Sequence, residues 1–246
     1  MCGRRPSGGP FGGTGKDVSG QMQGHPQEVT CGDFVIAYIV TAAPFFENCY
    51  LLRHAPSGEQ ILIDPGIGAD KILAKVRADG DSLREIWLTH GHLDHIGGTR
   101  EVQAEMPVPC RAHTDEQSLI ERQPDWGAQM LGTRIEIPTD CRYYLDEPML
   151  AFAGAEARVI HTPGHTPGGV CYVFDGFAFT GDTLFQQGIG RTDFPGGDAG
   201  KLRASITRLL DEIPPETLLF SGHGGHWTAG EAKRWWSVVA GGIAFV

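Results

Sequence analysis

The chain has 246 residues and a formal charge of −10, with 41% hydrophobic and 20% charged residues, so it can bury one large core or two small ones at ordinary globular composition. Lys and Arg are not clustered, which argues against a general nucleic-acid binder, since phosphate neutralisation needs concentrated positive charge. No apolar run approaches the ~20 residues that span a bilayer.

Residues 1–28 are rich in Gly, Pro, Ser and Gln and read as a flexible tail, with 29–246 as a single folded domain. The tail has Arg4 and Arg5 but no apolar segment, so neither a secretory signal nor a transit peptide is indicated. The six cysteines, Cys2, Cys31, Cys49, Cys110, Cys141 and Cys171, form no C-x-x-C pair. In a chain of this length they are expected to be reduced thiols of a cytoplasmic protein, not a disulfide framework or a structural zinc site.

Folded structure is expected from about Asp33. The apolar runs Phe34–Val40, Cys49–Leu52 and Ile61–Ile63, separated by Pro or Gly turns, predict three strands in an antiparallel meander. Asp64-Pro65-Gly66 ends the third, and Ile72, Leu73 and Val76 predict an amphipathic helix over Ala69–Ala78. A buried strand through Ile86, Trp87 and Leu88 follows. After it, one helix running to about Glu105 and a short strand near Pro109–Ala112 are expected. The stretch 113–147, with Pro124, Gly127, Gly132 and Pro138, reads as mixed helix and loop over one face. Strands resume at Ala157–Ile160, Gly169–Phe174 and Gly176–Thr180. Leu202, Ile206, Leu209 and Leu210 place a helix at Lys201–Asp211. A last strand at Thr217–Phe220 and a helix near Ala229–Val238, packed through Trp235 or Trp236, complete the series. Strands followed by helix in each half imply two sheets with helices outside.

Chemistry concentrates in Thr89-His90-Gly91-His92-Leu93-Asp94-His95-Ile96-Gly97-Gly98, where four metal-ligand side chains fall within six residues at the end of a strand. Three later segments repeat the pattern of an apolar strand tipped by a polar residue beside glycine. They are His161-Thr162-Pro163-Gly164-His165, Thr180-Gly181-Asp182-Thr183 and Ser221-Gly222-His223. Imidazole suits zinc or iron, and carboxylate adds charge that two cations can share.

These four segments, in this order, resemble the metallo-β-lactamase fold superfamily, and within it the small glyoxalase II-like hydrolases, over about residues 33–237. The resemblance implies an α+β fold, an αββα sandwich of two mixed sheets with helices on the outer faces and metals at one edge. It also implies that His90, His92 and His165 hold one metal, that Asp94, His95 and His223 hold a second, and that Asp182 bridges them. Asp64 is then a supporting residue near the His90 loop. Two cations sharing a carboxylate lower the pKa of a shared water and polarise a carbonyl, which leaves Asp94 to orient the nucleophile or take its proton. With these seven positions filled, His113, His161 and His226 are expected outside the coordination shells.

The implied activity is hydrolysis of an acyl thioester such as S-lactoylglutathione, with two divalent ions, zinc first and iron or mixed iron and zinc as the alternative. Asp182 stands where several exported β-lactamases of the superfamily carry Cys. The segment Gly190-Arg191-Thr192-Asp193-Phe194 is shared with persulfide dioxygenases, which would use one iron on His90 or His92, His165 and Asp182. Lactonase or nuclease activity ranks lower. Only 23 residues follow His223, too few for the helical region with which larger glyoxalase II enzymes bind glutathione. Arg191 either contacts substrate or pairs with Asp193 to shape its loop. Phe45 and Phe46 either line an apolar pocket or fill the core. Specificity is expected from Pro44–Phe46, 113–147 and Gln186–Gly190. A small-molecule partner, without nucleic acid or membrane, is implied.

Overall fold

The computed structural model describes residues 28–80 and 82–241. Two mixed sheets face each other. The first runs in order β1 (Glu28–Cys31), β2 (Phe34–Val40), β3 (Asn48–His54), β4 (Gln60–Ile63), β5 (Leu83–Trp87), β6 (Cys110–His113) and β7 (Cys141–Tyr144). Its first four strands are the antiparallel part, and β4 to β7 pair in parallel. The second sheet has the spatial order β15 (Trp227–Thr228), β14 (Leu218–Ser221), β11 (Phe177–Gly181), β10 (Val170–Phe174), β9 (Ala155–His161) and β8 (Met149–Phe152). Within it only β11 and β14 are parallel. A small hairpin pairs β12 (Leu184–Phe185) with β13 (Gly188–Ile189).

Strand periodicity explains why the apolar runs are continuous. In β3, Tyr50 and Leu52 point into the core between the sheets, while Cys49 and Leu51 point outward onto helices. In β11, Phe177 and Phe179 face inward and Ala178 outward. Both faces of each sheet are covered, so both sets of positions must be apolar. The inner core joins Ile61, Ile63 and Trp87 to Tyr172, Phe174 and Phe220, and each such fully buried side chain stabilises the fold by about 1.5–3 kcal/mol. Outside the first sheet lie α1 (Ala69–Ala78), α2 (Leu93–Ile96), α3 (Thr99–Glu105) and α4 (Gln117–Leu131). Outside the second, α5 (Ala199–Glu212) and α6 (Ala229–Val239) bury Leu202, Ile206, Leu209 and Trp236.

The expected meander, the two sheets and the outer helices are all present. Four details differ. The tail assignment covers 1–28, of which 1–27 lie outside the described residues; Glu28 itself begins β1, an edge strand with the alternating burial of one covered face. The single helix after the histidine cluster is two helices. Gly98 donates to the Pro65 carbonyl at 2.9 Å, and a Cβ there would collide with the Gly66 carbonyl oxygen, so the chain must bend where that loop presses on it. Over 113–147 the structure has a 15-residue helix, α4, that continues through Pro124 and ends at the left-handed Gly132. Leu119, Ile120, Gln123 and Gly127 form its buried stripe, and that packing outweighs the missing proline N–H. Finally, β7 and β8 are added at sheet edges.

Candidate metal centre

Parallel pairing brings the polar tips together. Ile63 pairs with Trp87 across β4 and β5, and Gly181 pairs with Ser221 across β11 and β14, so Asp64, the Thr89–His95 loop, Asp182 and His223 leave their strands in related directions. The two sheets are tied at this edge, where Val170 N donates to Thr89 O at 2.9 Å and Asn48 N donates to Gly222 O at 2.7 Å. The His165 loop lies between β9 and β10.

Two sets of three donors result. Ligand atoms of His90, His92 and His165 lie within 4.8 Å of one another, and so do those of Asp94, His95 and His223. Asp182 stands between the sets. Its Oδ2 is 3.6 Å from His165 Nε2 and 3.7 Å from His223 Nε2, while its Oδ1 is 3.2 Å from His95 Nε2. His92 Nδ1 and His165 Nε2 are 2.9 Å apart, and His223 Nε2 is 3.3 Å from Asp94 Oδ2. His90 Nε2, His95 Nε2 and Asp182 Oδ1 are buried without a properly directed hydrogen bond. Unsatisfied polar atoms at this depth are costly unless something else meets them. Nitrogen and carboxylate donors converging in this way fit divalent cations. Gly222 permits the closeness, since a Cβ there would strike Asp182 Oδ1 and His95 Cε1.

Buried groups hold the donors. Asp64, at φ 50°, accepts from Thr89 N at 2.7 Å and Thr89 Oγ1 at 2.6 Å, and its Oδ2 lies 2.9 Å from His95 Nδ1. Glu116 is fully buried and accepts from Gly91 N and Gly168 N, both at 2.6 Å, so one carboxylate clamps the His90–His92 loop to the His165 loop. His165 Nδ1 is 2.7 Å from the Arg191 carbonyl oxygen, which orients the ring and leaves Nε2 toward the centre.

Protonation follows the same division. Burial, reinforced by neighbouring histidines, pushes His90 well down and His92 to about 3, and burial also lowers His165, so all three are neutral with lone pairs available. At His95 burial opposes the charge, but Asp182 and Asp94 overcome it and push the ring's pKa well above the ordinary imidazole value. Burial also works against charge on Asp182 and Asp94, yet His95 keeps both below the usual carboxylate range. Cations at the centre would meet the same carboxylate charge that now raises His95.

A cavity of about 400 Å³ opens above this centre, floored by His92, Asp94, His165, Asp182 and His223. Phe45 and Arg191 line it; Phe46, 40% exposed, does not, and neither phenylalanine belongs to the main cores. Arg191 is paired with Asp193 through two 2.6 Å hydrogen bonds. His113 and His161 stack together with centroids 4.3 Å apart and form, with Asp115, a separate group whose ligand atoms lie within 4.8 Å of one another, and His226 Nδ1 lies 2.8 Å from the Tyr38 hydroxyl; none of the three histidines belongs to the two donor sets. Sequence reasoning did not single out Glu116, nor, within the segments 113–147 and Gly190–Phe194 that it did name, Trp126, Met130 and Phe194. The last three line the cavity, and Glu116 has no sequence signal beyond being an acidic residue beside a strand end.

Residues 42–223 match the family model described as the metallo-beta-lactamase superfamily. Hydroxyacylglutathione hydrolase GloC of Haemophilus influenzae is 33% identical over 200 residues, covering 80% of this chain and 94% of that protein. A crystal structure of BLEG-1 B3 metallo-beta-lactamase superposes with TM-score 0.75 at 33% identity, covering 81% of this chain and 96% of the other. TTHA1623 in a di-iron-bound form gives TM-score 0.71 at 36% identity, with 79% and 96% covered.

Proposed function

This chain belongs to the metallo-beta-lactamase superfamily, and from that premise we propose that it is a two-metal thioesterase of the glyoxalase II-like kind, acting as one domain over residues 29–246. The observation that carries the reading is the pair of three-donor sets facing each other across Asp182 at the floor of a substrate-sized cavity. His90, His92 and His165 would hold one cation, Asp94, His95 and His223 the other, and Asp182 both, with zinc the proposed metal.

Two such cations supply Lewis acidity, acidifying a water and polarising the carbonyl under attack. The chain does the rest. Asp94, whose side chain is 17% exposed at the cavity floor, is placed to orient the attacking water and accept its proton. Asp64 fixes the orientation of His95, and the Arg191 carbonyl fixes that of His165, so neither ring must be ordered when substrate arrives. A cytoplasmic location is part of the proposal, supported by five free cysteines among the described residues, three of them buried. Among those residues no helix is long and apolar enough to cross a membrane.

A second reading is a one-iron persulfide dioxygenase using His90 or His92, His165 and Asp182; the 3.6 Å approach of Asp182 to His165 serves this reading as well as the first. Metal analysis alongside a panel of S-lactoylglutathione, simple acyl thioesters, lactones, a β-lactam and glutathione persulfide separates the two. Two zinc ions per chain with thioester hydrolysis is the expected result. One iron with oxygen uptake on glutathione persulfide would establish the second reading instead.

A further inference from the structure

The cavity walls say more about substrate than the donors beneath them. They come from three separated parts of the chain: Phe45 after β2, Trp126 and Met130 one turn apart on α4, and Phe185, Ile189 and Phe194 in and after the small hairpin. All six are apolar or aromatic. Most are only partly buried, and with Met130 57% exposed they form a contiguous apolar patch beside the donor set, the kind of surface that marks a binding site. Trp126 lies edge-on to Phe194 at 5.7 Å and roughly parallel to the His92 ring at 6.2 Å, so the aromatic wall begins at the donor set itself.

Charge is the complementary observation. Arg191 is the one Lys or Arg among the lining residues. Its Nε and Nη2 donate to the two carboxylate oxygens of Asp193, which pairs its charge, and its guanidinium carbon sits 4.0 Å above the Phe194 ring, where it extends the wall. Asp94 and Asp182, the lining carboxylates, belong to the metal centre. Glutathione carries two carboxylates and an ammonium, and recognising it requires charges that are not already paired. A volume of about 400 Å³ lies within the usual range of about 300–1,000 Å³ for small-molecule sites and accommodates a medium-length chain or a ring.

We propose that this cavity is an acyl pocket that binds an apolar alkyl chain or aromatic ring joined to the carbonyl, so that the chain selects its substrate by the acyl group and not by the thiol. The nature of the bond cleaved rests on the thioesterase reading; the polarity of the occupant does not. Apolar burial gives the expected scale, since each added methylene corresponds to about a fourfold gain in affinity until the pocket is full.

Calorimetry on the metal-loaded protein with acetate, butyrate, hexanoate and octanoate, the acids that deacylation would release, tests the pocket without requiring turnover. Affinity is expected to rise about fourfold per methylene from acetate to hexanoate. Trp126→Ala and, separately, Met130→Lys should each reduce the hexanoate-to-acetate ratio at least several-fold. Met130 is exposed, so its replacement keeps the test valid should the Trp126 variant fold poorly. In parallel, kcat/KM for hexanoyl and lactoyl groups on glutathione and on N-acetylcysteamine should follow the acyl group and vary less than about threefold with the thiol. Chain-length-independent binding, a ratio unaltered in both variants, or a preference for lactoyl over hexanoyl would overturn the proposal. Chain-length-dependent binding without hydrolysis of any thioester would uphold the pocket and remove the thioesterase reading.

Discussion

The floor and the walls of the cavity are built by opposite means. On the floor the donor side chains come from strand tips and the loops that follow, five of the seven are buried, and backbone contacts hold them in place: Gly222 leaves no room for a Cβ, and Glu116 joins two loops through their amides. The walls come from Phe45, α4 and the hairpin region, and their apolar groups are half-buried or exposed, with Trp126 and Phe194 edge-on to each other. Replacing a floor residue disturbs interlocked groups, whereas replacing a wall residue changes a surface. Chemistry is therefore expected to be brittle here and specificity adjustable.

That contrast can be broken at several points. Asp94→Ala should have the largest effect, lowering hydrolysis by roughly 10²–10⁴-fold and weakening retention of the second cation, as read by steady-state kinetics and metal analysis. Full turnover in this variant would remove Asp94 from the mechanism. Glu116→Gln comes next. An amide NH2 would face Gly91 N or Gly168 N, two donors against each other, so metal affinity should fall about 10–100-fold in competition with a chelator although Glu116 touches no cation. Unchanged affinity would mean the clamp is incidental. On the wall, Trp126→Ala should cost about tenfold in kcat/KM with apolar acyl groups while metal content stays constant.

Smaller still is Arg191→Ala. An exposed ion pair contributes little, so kcat/KM should change by less than about threefold, and a much larger loss would assign Arg191 a direct substrate contact. A control away from both regions is Glu85. Burial disfavours its charge, but the bidentate Arg111 pair and the Trp87 indole N–H hold its pKa below the ordinary value. Its stabilisation is thus present at neutral pH and lost as pH falls from the ordinary carboxylate range through the depressed folded value. Glu85→Gln should accordingly destabilise at pH 7 by about 1 kcal/mol or less, and by less near pH 3, in denaturant titrations.

What could be read in the sequence follows the same division. The strands were legible because burial on both faces leaves runs such as Phe34–Val40 and Phe177–Phe179 without polar interruption. The candidate donor positions stood out because metal chemistry would restrict them to residues such as His and Asp beside glycine, and the structure brings these seven side chains together. Asp64 was legible through the resemblance. Less visible was α4, where Pro124 and Gly127 read as breakers and only four buried positions mark the helix. Its Trp126 and Met130 have no pattern, because a substrate wall need only be apolar and in reach. Glu116 escaped notice since its partners, Gly91 and Gly168, are 25 and 52 residues away. Of Phe45 and Phe46 only the first reaches the cavity; the second sits at φ 52° facing outward.

Metal stoichiometry and position test the central claim most directly. Anomalous scattering from crystals of protein loaded with zinc should give two peaks about 3.5–4 Å apart, one among His90, His92 and His165 and one among Asp94, His95 and His223, with Asp182 reaching both. A single peak, with Asp94, His95 and His223 remaining bonded to one another under saturating metal, would contradict the account.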